Sequence, residues 1–199
     1  MKIIKIDPEN PDINIIHQAA EVLKNGGVLM YPTDTCYGLG ADITNKSAFD
    51  KIYNIKHRDH NKPVSVIVPD INYITNIAIV SKPQQPYIAK YFPGPVTLIF
   101  LTLDQNIFPF SSIGIRIPKY HITNLISKSF GGAYVTTSAN IASLPPCYEV
   151  QDFLNQLSVH DISPDLILDA GKLQNQSVST VIDLTSKNPQ VIRQGAIIV

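Results

Sequence analysis

Apolar side chains recur along this chain at two spacings, and the alternation between them predicts its elements. After Asp12, the residues Ile15, Ile16, Ala19, Ala20, Val22 and Leu23 recur at helical spacing, with Asp12 placed to cap the first turn and Gly26-Gly27 to end it. A second helix starts near Asn45, with Ala48, Phe49, Ile52 and Ile55 as its buried stripe. Short β-branched runs predict strands: KIIKI at an edge, VLMYP, VSVIV at 64–68, VTLIFL at 96–101, IGIRI at 113–117, YVTT at 134–137, LILD at 166–169 and STVIDL at 179–184. The polar, glycine-bearing stretch TDTCYGLGAD reads as a loop leading into the second helix. Helical patterns fall between several of the strands. The expected fold class is therefore α/β: a single domain over residues 1–199, with a twisted mixed β-sheet flanked by helices and functional loops at strand ends.

Composition narrows the function. The chain has 199 residues, 44% of them hydrophobic, enough to bury one sizeable core. Lys+Arg number 16 and Asp+Glu number 16, so no global field holds a polyanion, although a local basic cleft still can. The opening MKIIKIDPENPD reads as neither a signal peptide nor an anchor, and no apolar run approaches membrane-spanning length. The expected setting is the cytoplasm, with no membrane partner. Cys36 and Cys147 show no CxxC or Cys/His ligand spacing, which argues against a structural zinc site.

In this balanced chain, residues 54–63 read NIKHRDHNKP and crowd together Lys56, His57, Arg58, His60 and Lys62. A solvated turn after a helix accounts for such a run; so does an anion site. Three stretches share a spacing of two: Thr33, Thr35 and Tyr37; Lys56, Arg58, His60 and Lys62; Thr136, Ser138 and Asn140. Residues two apart share a face only on extended chain. If the second helix ends near Lys56 and the chain then runs extended to Pro63, the cations converge; Pro63 itself disfavours helix at Lys62. Hydroxyls, an amide and cations together suit a phosphate-bearing ligand.

Plainer readings stand beside these. TTSAN taken alone reads as a strand end whose Ser or Asn caps the next helix. Arg116 in IGIRIP is either an exposed edge residue or a cleft cation for a carboxylate or phosphate, and its apolar flanks favour the cleft. Arg193 in VIRQG also fits the surface of a last strand, the histidines fit ordinary surface groups, and Cys147 fits a small packed side chain. A GxGxxG turn, a Walker A loop, GxSxG and HExxH are all absent. Any nucleotide site must use another architecture.

Several stretches carry a resemblance: YPTDTCYGLGAD at 31–42, NIKHRDHNKPVSVIV at 54–68, FPGPVTLIF at 92–100, IGIRIP at 113–118, TTSAN at 136–140, and STVIDL with VIRQG near the end. In this order they resemble the YrdC/TsaC family of threonylcarbamoyl-AMP synthases, in its single-domain form. The resemblance implies a sheet around a deep basic cleft and a nucleotidyltransferase reaction. L-threonine, bicarbonate or CO2, and ATP are joined into threonylcarbamoyl-AMP with release of pyrophosphate. Downstream tRNA threonylcarbamoyl-transferase proteins then use the product to modify adenosine beside the anticodon, with weak tRNA binding by the synthase as a further expectation.

The family's KxR signature falls on Lys56 and Arg58 and its SxN signature on Ser138 and Asn140, which the resemblance makes catalytic. It implies ATP contacts at Lys56, Arg58, Lys62, Ser112, Ser138, Asn140 and Arg193, aided by Mg²⁺ carried with ATP and by no protein-held metal. It implies threonine contacts at Thr35, Arg116, Thr136 and Ser179. Because threonylcarbamate is labile in water, the proline- and glycine-bearing loops flanking the cleft, 58–63 foremost, are expected to close over it. The chain departs from many relatives at Ile67, where they carry histidine, and at Pro146-Cys147, where they carry serine. An alternative from another class, a noncatalytic module holding double-stranded RNA in the same concavity, is disfavoured by the neutral charge and by the presence of both signatures.

Overall fold

The computed structural model describes residues 1–157, 162–174 and 177–199. Its strands are β1 (Lys2–Lys5), β2 (Leu29–Tyr31), β3 (Gly38–Asp42), β4 (Ser65–Ile67), β5 (Ala78–Ile79), β6 (Val96–Thr102), β7 (Ser112–Arg116), β8 (Tyr134–Ser138), β9 (Leu166–Asp169), β10 (Thr180–Asp183) and β11 (Gln190–Arg193). Its helices are α1 (Ile13–Lys24), α2 (Lys46–Lys56), α3 (Gln85–Tyr91), α4 (His121–Phe130) and α5 (Val150–Gln156). Asp12 caps α1 by accepting from Asn14 N at 2.8 Å, and Asn45 caps α2 by accepting from Ala48 N at 3.0 Å. Both helices thus begin where their capping residues predict.

The strands form one sheet in the order β1-β9-β2-β3-β8-β4-β7-β6-β10-β11, with β5 pairing beside β6. The β1–β9, β9–β2, β4–β7 and β6–β10 pairs are parallel, and the rest antiparallel, so the mixed sheet flanked by helices is as expected. One face carries Met30, Leu39, Val66, Leu98, Phe100 and Val135, packed with α2, α3 and α5 in the larger core. The opposite face is covered at one end by α1 and α4, whose Ile16, Leu23, Ile122 and Ile126 pack on Leu29, Tyr31, Tyr134 and Leu168. Beyond α4 this second face is open. That opening is the candidate site.

Two differences from the sequence expectation concern this region. The GLGAD part of the supposed loop is strand β3 at the sheet centre, paired with both β2 and β8. Glycine depresses strand propensity, but here it clears space: a Cβ at Gly40 would lie 2.9 Å from Tyr31 Cε1 and 3.0 Å from Tyr134 Cδ2. The second difference is the basic run. α2 ends at His57, left-handed with φ 50°, and this turn brings Arg58 N within 3.0 Å of Tyr53 O. The chain does not leave α2 extended, and the cations do not converge.

Candidate functional site

Cross-strand register places the small and polar residues of six strands on the open face. Gly38 pairs with Ser138, Thr136 with Ser65, Ser65 with Gly114, and Thr97 with Val181. Facing positions on neighbouring strands share one side of the sheet, so short side chains there leave a hollow. Its cavity measures ≈ 230 Å³. Three arginines reach it, Arg58, Arg116 and Arg193, together with Thr35, Thr136, Ser138 and Ser179. No carboxylate lines it among the described residues.

Arg116 enters from the end of β7. Its Nη2 donates to Asp34 Oδ1 and, at 2.8 Å, to Thr35 Oγ1, while Asp34 Oδ2 accepts from Lys119 N at 2.9 Å. Arg116 Nε is buried without a partner among the described residues. Thr33 Oγ1 donates to Cys36 O at 2.7 Å, so at the 3.1 Å contact between Thr33 and Thr35 it is Thr35 that supplies the proton. Thr35 therefore has only acceptor capacity left for a ligand.

Across the cavity, Arg193 donates through Nε to Ser179 O at 3.0 Å and through Nη2 to Ser179 Oγ at 2.9 Å. Ser179 Oγ lies 3.0 Å from Thr97 Oγ1. Burial, with the charge of Arg116 nearby, lowers the Arg193 pKa from its ordinary value. Arg58 donates through Nη2 to Pro63 O at 2.9 Å, which clips the 58–63 loop, and its buried Nε has no partner among the described residues. Like charges held this close, with donors left over, suit an incoming anion.

The remaining sequence candidates lie elsewhere. Lys56 is 2% exposed and sits behind the cavity wall. Its Nζ donates to Ser138 O at 2.5 Å, Asn140 O at 2.8 Å and Asn140 Oδ1 at 3.0 Å. Three acceptors suit an ammonium, whereas burial first and Arg58 second bring its pKa down from 10.5 to about 7. Asn140 is turned inward too, accepting from Ser138 Oγ at 2.6 Å and donating to Ile141 O and Leu144 O. Together these two residues brace the turn that presents Ser138. Lys62 is exposed, and Ser112 lies at the far end of β7 from Arg116, neither of them in the cavity wall.

His60 stacks on Tyr53 and lies 3.6 Å from Asp50, outside the wall. Ile67 packs into the smaller core with α1 and α4. Cys147 is fully buried, and its thiol is pushed up to about 12 by burial, as a packed side chain should be. Asp34, Ser65 and Thr97 went unnoticed in the sequence. Ser65 and Thr97 did leave a trace: each is a lone hydroxyl in an apolar run of five residues, VSVIV and VTLIF. Asp34 left none that separates it from an ordinary loop acid.

A family model for the Sua5/YciO/YrdC domain, described as "Telomere recombination", matches residues 21–195. The chain belongs to this family. It is 30% identical over 176 residues to the threonylcarbamoyl-AMP synthase of Enterobacter sp. (strain 638), covering 84% of this chain and 91% of that one. Among solved structures it matches E. coli YciO with a TM-score of 0.86 at 27% identity, over 98% of this chain and 96% of that chain. It also matches P. abyssi Sua5 complexed with L-threonine, with a TM-score of 0.88 at 24% identity, a likeness of fold. That match covers 98% of this chain and 58% of the Sua5 chain. Among the described residues no helix is long and apolar enough to cross a membrane.

Proposed function

We propose that this protein is a threonylcarbamoyl-AMP synthase: it condenses L-threonine, bicarbonate or CO2, and ATP, and releases pyrophosphate. The observation that carries the reading is the pair of buried guanidinium nitrogens without partners among the described residues, Arg58 Nε and Arg116 Nε, on two arginines lining one cavity with Arg193. The synthase name of the Enterobacter relative and the L-threonine held by P. abyssi Sua5 support it.

In this reading the threonine carboxylate meets Arg116, with Thr35, Thr136 and Ser179 contacting the rest of the amino acid. The triphosphate meets Arg58 and Arg193 beside Ser138, and extends from the cavity mouth toward Lys62 and Ser112. Bicarbonate and the threonine amine give the carbamate, with loss of water. A carbamate oxygen then attacks the α-phosphorus, its bond to the bridging oxygen breaks, and pyrophosphate leaves with the electron pair. Both reactants are anions, so fixed cations and alignment are the protein's main contribution. Lys56 and Asn140 contribute by holding Ser138 rather than by touching phosphate.

No carboxylate lines the cavity among the described residues, which fits Mg²⁺ arriving on the phosphates of ATP and neutralising charge there. The histidines His57 and His60 are not in the wall either, so the amine proton passes to a substrate oxygen in this scheme. The product then serves tRNA modification by downstream proteins in the cytoplasm, with at most weak tRNA contact by this chain. A purely RNA-holding role has less support, because the three arginines point into a small cavity instead of paving an outer surface.

The deciding assay is pyrophosphate release from ATP. It should require both threonine and bicarbonate, and Arg58→Ala should reduce it at least 10-fold while the chain stays folded. Release that ignores threonine, or tight duplex-RNA binding without any release, would overturn the proposal.

A further inference from the structure

A hydroxyl in a cavity wall can meet a ligand as donor or as acceptor, and its buried neighbours settle which. Behind Thr136 lies Tyr31, wholly buried on β2, its hydroxyl 2.7 Å from Thr136 Oγ1. The ring reaches that point across β3. A Cβ at Gly38 would lie 3.2 Å from Tyr31 Cζ, and one at Gly40 2.9 Å from Tyr31 Cε1, so the two glycines form a shelf for it. Tyr134 braces the ring edge-on at 5.7 Å and 76°. The Tyr134 hydroxyl is buried too, and the polar group it faces is the Tyr31 hydroxyl, in a contact weaker than an ordinary hydrogen bond.

Counting protons gives the bond a direction. Tyr31 has one proton, and Thr136 Oγ1 is the acceptor at hydrogen-bond distance from it, whereas the Tyr134 hydroxyl, its weaker neighbour, turns its own proton toward Tyr31. If Thr136 were the donor, the Tyr31 proton would be stranded in the core, the costly arrangement. If Tyr31 is the donor, the Thr136 proton turns into the cavity, where water or a ligand accepts it. Burial raises the Tyr31 pKa above its ordinary value, so that proton is retained throughout the neutral range.

We propose that Tyr31 is a positioning residue: by donating to Thr136 Oγ1 it commits the Thr136 hydroxyl to donate into the cavity, selecting an acceptor oxygen of the amino-acid substrate at that point. This rests on the proposed function and deepens it. Thr35, beside Arg116, has the opposite polarity, with acceptor capacity only. The cavity thus presents an acceptor at one threonine and a donor at the other. With its carboxylate on Arg116, threonine supplies a partner for each, its ammonium to Thr35 and its side-chain oxygen to Thr136.

The test is a double-mutant cycle on the full chain, read by calorimetric threonine binding and by separate KM values for threonine and ATP. Tyr31→Phe keeps the ring on its glycine shelf and removes only the proton. Threonine affinity should fall about 3- to 10-fold, the worth of one hydrogen bond, with the KM for ATP unchanged. On a Thr136→Val background, adding Tyr31→Phe should cause no further loss; the Tyr31 hydroxyl proton, followed by NMR in the wild-type chain, should shift in Thr136→Val, a readout that needs no Tyr31 variant, and an unmoved signal would overturn the inference. Unchanged threonine binding in Tyr31→Phe, additive losses, or equal rises in both KM values would overturn the inference alone. A wild-type chain that binds no threonine would overturn the proposed function and the inference with it.

Discussion

Replacing Lys56 with methionine tests the tie that it makes to the Ser138–Asn140 turn. The change strands Ser138 O and Asn140 O, while Asn140 Oδ1 keeps its contact from Ser138 Oγ. Two buried carbonyls without donors cost about 2–6 kcal/mol. Against this, the chain no longer buries an amine whose pKa has been brought from 10.5 to about 7. At pH 8 that relief is about 3 kcal/mol. The two effects largely cancel, so Lys56→Met should fold, with a Tm within about 10 °C of wild type. Activity has no such compensation. Once the Ser138–Asn140 turn is unbraced, a displacement on the order of 1 Å should lower threonine-dependent pyrophosphate release about 100-fold. Thermal unfolding and pyrophosphate release on the same preparation check both halves. A variant that keeps more than about a tenth of the activity would show that the tie is dispensable, and one that cannot fold would show that the cancellation fails.

The same amine gives a pH dependence whose sign follows from its direction. Its folded pKa lies below its unfolded one, so between about 7 and 10.5 the unfolded chain binds more protons, and this group makes stability rise with pH across that window. Denaturant midpoints at several pH values should show the rise in wild type and its loss in Lys56→Met. Asp34→Asn removes the charge facing Arg116 in a pair whose side chains are each 10% exposed; it should cost about 3–5 kcal/mol of stability, and a change below about 0.5 kcal/mol would place the pair in the weak class of exposed ion pairs. His57 holds a left-handed backbone at φ 50°, so His57→Val should destabilise by about 1–2 kcal/mol more than His57→Gly, and equal losses in chemical denaturation would deny any backbone role there.

Local pattern carried the helices and most strands, because capping residues and apolar periodicity act over a few neighbours. Asp12 and Asn45 start α1 and α2 as their side chains require, and LILD forms β9 residue for residue. Family motifs marked seven of the cavity's residues: Thr35, Arg58, Arg116, Thr136, Ser138, Ser179 and Arg193. Spacing of two does put Thr136 and Ser138, neighbours along β8, on one face. In the basic run the same spacing does not, because the left-handed turn at His57 sends Lys56 behind the wall and Arg58 into it.

What local pattern lacked was depth and pairing. Strand β3 hides behind its glycines because their use, clearing room for Tyr31, is a contact with a residue on another strand. The Asp34–Arg116 pair joins positions 82 residues apart, and the Lys56 tie to Ser138 spans the same separation. Whether a lysine meets a phosphate or three carbonyl oxygens depends on which side of the sheet its helix packs. Burial and register are properties of the assembled chain, since each needs atoms from several strands at once; charge, periodicity and capping need only neighbours along it.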